Sequence, residues 1–382
     1  MASTSYIEIE REAIRSNISF IQSLCNQKTE ISAVVKGNAY GHGIRELIPM
    51  LEDFGIRHFS VYSSAEAREA YAFISPSSSL MVMGYVATED MDWMLENGIE
   101  FFVSNTATLG LALSRVNSAG MPARVHLEVE TGMYRTGLSL DQLKKAVNRI
   151  KENPGLVEVR GLASHLAGAE SIANYKRIKK QLLVFNRRVK FLKEMGVKGF
   201  KRHIASSAGL INYPESHFDM VRTGILIYGF WPTRETQISF LHRSKQKQDN
   251  LKRAIRWQSR VFQVKTVPEG EFIGYGLNFQ ADRKMKTMIV PVGYCNGYSR
   301  SLSNNGHVII KGQRSSVIGI VNMNMIICDI SEIDGVKAGD TVTLIGQHGD
   351  VVISFSSFAD MNNTLNYEIL ARLPENIERT VK

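Results

Sequence analysis

The stretch ISAVVKGNAYGHG, residues 31–43, decides the fold. Its first five residues (31–35) form a short apolar run with three β-branched side chains, the pattern of a buried strand. Lys36 follows at once, and the asparagine and glycines after it end the strand. Working outward, the same unit recurs. Strand-like runs fall at 58–61, 80–83, 100–103, 124–129, 159–163, 201–204 and 219–222. Stretches with helical spacing lie around and between them, at 12–25, 65–73, 88–95, 141–151 and 171–195. Eight strands alternating with helices predict an α/β fold with a parallel (β/α)8 TIM-type barrel, not an open doubly wound sheet.

After residue 240 the pattern changes. A polar, basic stretch (241–256) leads into alternating β-type segments at 257–267, 287–293, 307–310, 315–329 and 341–345. A helical period returns only at 354–361. The expected division is therefore a barrel over 1–240 and a mostly-β C-terminal domain over 241–382.

Composition narrows the function classes. With 382 residues, 44% hydrophobic and 22% charged, the chain can bury two ordinary cores. The 46 basic and 37 acidic residues give +9, spread along the chain. No recognition motif accompanies this charge, so a solvated basic surface is expected and no nucleic-acid partner. Cys25, Cys295 and Cys328 form no CxxC pair, and the nine histidines show no metal-binding spacing, so no metal site is expected. The N-terminus lacks the apolar core of a signal peptide. No run approaches the ~20 apolar residues of a membrane helix, so a cytoplasmic protein with no membrane partner is the expectation.

In such a barrel, chemistry sits at the C-terminal ends of the strands. Several polar residues converge there: Lys36 after the first strand, Arg135 in the loop after the fifth, and His165 after the sixth. His203, Ser206 and Ser207 end the seventh strand, and Arg222 closes the eighth. A single lysine or histidine at a strand end is most often structural; their arrival on one face is the signal.

The segment AVVKGNAYGHG (33–43) resembles the cofactor-lysine motif of the alanine racemase family. The resemblance continues in order through VHLEVETGMYRTG (125–137), SHLAGAE (164–170), RHIASSA (202–208) and DMVRTGILIYG (219–229). In the second domain it takes in IGYGLNF (273–279), VGYCNGYSR (292–300), GIVNMNM (319–325) and LNYEILARLP (365–374). It implies an enzyme that interconverts L- and D-alanine with pyridoxal 5'-phosphate and supplies D-alanine for cell-wall peptidoglycan.

By that resemblance Lys36 holds the cofactor as a Schiff base and serves as one base. Tyr275 is the second base, on the opposite face of the substrate. A tyrosine in that role needs a partner that shares the proton, and His165 is implied, with Arg222 and His203 behind it. Arg222 is implied to donate to the cofactor's pyridine nitrogen. Arginine stays protonated, so it donates without handing over its proton. Ser207, Tyr40 and Tyr367 match the phosphate-binding hydroxyls, and Gly224 and Ile225, at an expected helix start, match backbone donors. Arg135 and the backbone of Met323 match the residues that hold the substrate carboxylate, and Tyr294 lines the entrance. In the family, the second-domain residues come from a partner subunit, which implies a homodimer with shared sites.

Departures from the family pattern concern the pocket. Glu128 stands where many relatives carry a carbamylated lysine, and it is expected to pair with Arg135. Asn322 and Asn324 flank Met323, Ile320 replaces a common arginine, and Ser206 and Asn296 also differ. These leave a serine or broad-spectrum racemase as the first alternative. A non-catalytic protein that merely holds pyridoxal phosphate is the second.

Overall fold

A computed structural model of the chain describes residues 4–245, 248–354 and 366–382, with the side chains of Ser118, Ala119, Asn366 and Tyr367 left aside. The expected helical segment at 354–361 lies almost entirely outside the described residues, as does the Tyr367 side chain.

The chain forms two compact units that differ from a single cut at residue 240. One comprises residues 12–39 and 47–253, the other residues 1–11, 40–46 and 254–382. The first strand, β1 (Ser5–Ile9), belongs to the second of these. Its alternation of Ile7 and Ile9 with Tyr6 and Glu8 gives one buried face, and its edge pairs antiparallel with a strand some 250 residues later.

The larger unit is the expected barrel. Its strands are β2 (Glu30–Val34), β3 (His58–Val61), β4 (Ser79–Val82), β5 (Glu100–Val103), β6 (Ala123–Glu128), β7 (Val157–Ala163), β8 (Lys201–His203) and β9 (Met220–Thr223). They pair in parallel in the order β8-β7-β6-β5-β4-β3-β2-β9. Two backbone hydrogen bonds flank the seam between β8 and β9, from Asp219 N–H to Arg202 O (3.1 Å) and from Arg222 N–H to Ala205 O (3.0 Å). All eight strands lie within two residues of their expected positions. The interior is more polar than the apolar runs suggested: Ser32, Ser60, His58, Glu100, His126, His203 and Arg222 are all buried.

Helices Ile44–Asp53, Thr106–Ala119 and Arg234–Ser244 add to the expected set; the first does carry a helical period, in Ile44, Leu47, Ile48 and Leu51, all buried. The last runs into the polar, basic stretch that begins at residue 241, and its N-cap Thr233 accepts from Thr236 N–H. Conversely, the residues after β9, expected to start a helix at Gly224, form successive turns instead. Their hydrogen bonds run three residues back, from Ile227 to Gly224 and from Gly229 to Leu226.

The second unit is mostly antiparallel, as expected. Its strands are β10 (Ile255–Arg260), β11 (Gln263–Val267), β12 (Met285–Val290), β13 (His307–Ile310), β14 (Gln313–Ile318), β15 (Ile326–Asp329), β16 (Thr341–His348), β17 (Val351–Ile353) and β18 (Glu378–Val381). The order is β11-β12-β15-β14-β13-β16-β10-β1-β18, with β17 added on β16. The two long expected segments, 257–267 and 315–329, are each two strands. The second breaks where Gly319 takes a positive φ of 73°. No helix among the described residues is long and apolar enough to cross a membrane.

Candidate active site

The Lys36 loop is built by backbone strain. From Gly37 to Tyr40 four successive residues have φ between 50° and 59°, a turn of left-handed helix. For a residue with a Cβ this conformation costs about 1–2 kcal/mol, and Asn38, Ala39 and Tyr40 all have one. Such strain persists only where surrounding contacts fix it. Here Ala39 N–H donates to Val35 O at 2.7 Å, and Gly37 N–H donates to Glu66 Oε1 at 2.8 Å. The other Glu66 oxygen receives Tyr62 N–H at 2.6 Å, so one carboxylate ties the loop after β2 to the loop after β3. Glu66 was missed as a site residue. The pattern Ser63-x-x-Glu66 is a capping box, which is its one visible sequence signal.

Lys36 follows β2 by two residues and is exposed by area. Its ammonium is nonetheless held below the ordinary lysine value, by desolvation first and the Arg135 charge second, with Glu66 opposing. His165, two residues beyond β7, is pushed down to about 3 by burial and by the charges of Arg222, Arg135 and Lys36, so its ring is neutral near pH 7. Arg222, on β9, is buried and brought down to about 10; desolvation dominates, opposed by Glu128, and the Arg135 charge lowers it further. It remains protonated. Three hydrogen bonds fix it: Nη1 to His203 Nδ1 (2.5 Å), Nη1 to His203 O (3.1 Å) and Nη2 to Ser164 O (2.6 Å). The Phe102 ring lies 5.7 Å from its guanidinium carbon.

Lys36, Arg135, His165, Glu128 and Arg222 therefore share one electrostatic neighbourhood at the strand ends. The Arg135 loop is held by Glu130, which accepts backbone N–H bonds from Met133 and Tyr134, each at 2.8 Å, and also from Gly132. Glu128 is buried and its carboxyl is raised above the ordinary range by desolvation. The ion pair expected between Glu128 and Arg135 is absent among the described residues. Instead Thr136 Oγ1 donates to Glu128 at 3.1 Å, and Arg135, pointing to solvent, acts on it only through its charge. Ser207 Oγ accepts from Gly224 N–H at 3.1 Å, joining two of the expected anion-binding positions.

The residues expected from the second domain come together within their own unit. Tyr275 lies in a short 3-10 turn and is 77% exposed, so it is not a packed core aromatic. Tyr294 N–H donates to Asn322 O and Cys295 N–H to Met323 O, both at 3.0 Å. A Cβ on Gly293 would meet these two carbonyl oxygens at 2.1 and 2.4 Å, so glycine is required there. Ile320 Cδ1 would lie 2.9 Å from a Cβ on Gly276, which places the Tyr275 turn beside the loop leading to Met323. Tyr40 belongs to this unit as well.

His58, Glu100 and His126 bring ligand-type atoms within 4.8 Å of one another. The 2.7 Å from His126 Nε2 to Glu100 Oε2 is a hydrogen-bond distance, and Arg160 donates to the other oxygen at 3.3 Å. The group reads as a hydrogen-bonded cluster.

Two family models match: the alanine racemase N-terminal domain over residues 9–232, and the alanine racemase C-terminal domain over residues 254–381. The chain belongs to the alanine racemase family. An alanine racemase of Leptospira interrogans is 33% identical over 381 residues, covering 99% of this chain and 96% of the relative. One from Methanococcus maripaludis is 33% identical, covering 98% of this chain and 97% of its own length. Among solved structures, the alanine racemase of Clostridium difficile 630 superposes with a TM-score of 0.90 at 27% identity, covering 100% of this chain and 96% of that one. The Bartonella henselae enzyme, solved with covalently bound pyridoxal phosphate, gives 0.83 at 26% identity, covering 100% of both chains. The two family models thus match the barrel and the strand-rich second unit in turn.

Proposed function

We propose that this chain interconverts L- and D-alanine with pyridoxal 5'-phosphate carried on Lys36. The observation that carries the reading is the convergence of Lys36, Arg135 and the buried, rigidly held Arg222 on His165 at the strand ends of one barrel. The donor set suits the cofactor. Lys36 offers an amine that deprotonates more readily than an ordinary lysine, and Arg222 a fixed donor for a ring nitrogen; Ser207, Tyr40, Tyr367 and the amides of Gly224 and Ile225 are the phosphate positions that family membership supports, with Gly224 N–H turned to Ser207 Oγ. When bound, pyridoxal phosphate supplies the electron sink that makes an α-proton removable.

The chain's own residues do the rest. Lys36 Nζ moves the α-proton on one face of the substrate. Tyr275 Oη moves it on the other, and the neutral His165 ring offers a lone pair to share the phenol's proton. Arg222 donates without releasing its proton, which leaves the ring nitrogen neutral and limits how far electrons run. Arg135, with the Met323 backbone N–H, holds the alanine carboxylate by charge and hydrogen bond. Tyr294 lines the entrance. The working unit is a homodimer in which Tyr275, Tyr294 and Met323 of one protomer complete the other's site. The exposure of Tyr275 and Met323, 77% and 55%, supports this. The enzyme acts in the cytoplasm and supplies D-alanine for peptidoglycan.

Asn322 and Asn324 beside Met323 support a second reading, a serine or broader racemase. Turnover on a panel of L-amino acids, with an absorbance spectrum of wild type and Lys36→Ala, tests both. The account expects a near-visible band lost in Lys36→Ala and alanine as the best substrate. A protein with no band would overturn it.

A further inference from the structure

The barrel interior contains a continuous hydrogen-bonded line that ends on Arg222. From Glu100 on β5, Oε2 lies 2.7 Å from His126 Nε2. His126 Nδ1 lies 2.8 Å from His203 Nε2. His203 Nδ1 lies 2.5 Å from Arg222 Nη1. All four residues are buried. The protons along this line are determined from both ends. A carboxylate only accepts, so His126 carries its proton on Nε2 and presents a bare Nδ1. That bare nitrogen accepts the Nε2–H of His203, which leaves His203 Nδ1 bare. Arginine only donates, and it meets that lone pair. One arrangement of neutral rings satisfies every contact.

A second arm fixes the carboxylate itself. His58 Nε2 lies 3.3 Å from the same Glu100 oxygen, and Ser32 Oγ lies 2.9 Å from His58 Nδ1. Arg160 Nε donates to the other oxygen at 3.3 Å. The backbone is cut to suit the line. β7 runs between β6 and β8, and Gly161 lies opposite His126 on one side and Lys201 on the other. A Cβ at Gly161 would fall 2.2 Å from His126 Nδ1 and 2.8 Å from His203 Nε2. Only glycine lets the two rings touch across the middle strand.

We propose that Glu100 is a positioning residue for racemisation, acting through His126 and His203 to lock the tautomer that holds Arg222 in place. Without the carboxylate, His203 can take its proton on Nδ1. That N–H would then face an arginine N–H, and the guanidinium would have to turn away. The proposal rests on the reading that Arg222 serves the cofactor ring.

The test uses cofactor-loaded enzyme with Glu100→Gln, Gly161→Ala and Arg222→Lys, with kcat counted per bound cofactor. Glu100→Gln keeps the shape but removes the fixed acceptor; Gly161→Ala keeps every titratable group but parts the rings. Both are expected to lower kcat about tenfold or more, to change KM for alanine by less than about threefold, and to shift the cofactor band. A merely structural role would lower the yield of holoenzyme and its melting temperature, while kcat per site and the band stayed as in wild type; that result overturns the proposal. If Arg222→Lys is slow and the other two are not, only the relay fails. If Arg222→Lys is unaffected, the reading beneath it fails. Wild-type protein labelled with 15N-histidine decides the tautomers without any variant. The structure requires His126 and His203 neutral with Nε2 protonated, and an Nδ1-protonated His203 overturns the relay.

Discussion

Arg222 Nη1 lies 2.5 Å from His203 Nδ1, and burial and the Arg222 charge itself hold that ring well below the ordinary histidine value. The arginine is therefore held by an acceptor that stays neutral, and by two backbone carbonyls. A lysine at 222 would keep the charge but not the two-pronged geometry. Charge-assisted hydrogen bonds contribute roughly 1.5–3 kcal/mol each, so Arg222→Lys is expected to lower kcat about 10- to 100-fold. Steady-state racemisation kinetics check this, and an unchanged kcat would contradict it.

Acid should destabilise the fold earlier than carboxylates alone would dictate. His126, His165 and His203 all have folded pKa values below the unfolded histidine value. The unfolded chain therefore binds more protons than the native one below about pH 6.5. Stability is lost as pH falls from there, by up to about 1.4 kcal/mol per pH unit for each ring kept neutral. For His165 the loss levels off only near its folded value of about 3. Glu100, whose carboxyl is held far below its ordinary range, adds its own loss only below about pH 4.5. Urea melts at pH 7.5 and 5.5 are expected to show a lower midpoint at 5.5. Equal midpoints would count against neutral buried rings.

Glu128 is expected to act on Arg135 by charge rather than contact. Glu128→Gln keeps the Thr136 hydrogen bond and removes the charge, so KM for alanine should rise about two- to fivefold with a smaller change in kcat. Unaltered KM and kcat would show that the buried carboxylate serves packing alone.

Sharing of sites between protomers has a direct signature. Lys36→Ala and Tyr275→Phe should each be nearly inactive alone. Unfolded together and refolded, they form mixed dimers in which one of the two sites has both an intact Lys36 and an intact Tyr275. About a quarter of wild-type activity should return. No recovery would place Tyr275 in the same chain's site or outside it.

The barrel strands were legible because each is a short apolar run followed by polar turn residues; Ile31 to Lys36 is the clearest example. β1 was not, because its partners β10 and β18 lie at the far end of the chain and local pattern cannot reveal them. The Lys36 motif could be read residue by residue, but its left-handed turn could not, since Asn38, Ala39 and Tyr40 adopt it only under the hold of Glu66 and the preceding strand. Glu100, His58 and His126 stood in the sequence as polar residues in three separate apolar strands. They become a cluster only once the strands close into a barrel and Gly161 opens the space between β6 and β8. The Glu128–Arg135 pair was expected from the family pattern alone, and no contact forms: Thr136 donates to the carboxylate at the end of β6 and Arg135, seven residues on, is exposed.

The most direct test of the central claim is racemisation itself. Purified protein supplied with pyridoxal phosphate should bring L-alanine, and separately D-alanine, to an equal mixture of the two, as loss of circular dichroism shows. Lys36→Ala should leave both unchanged. Retained optical activity with the wild-type protein, or racemisation at the wild-type rate without Lys36, would contradict the account.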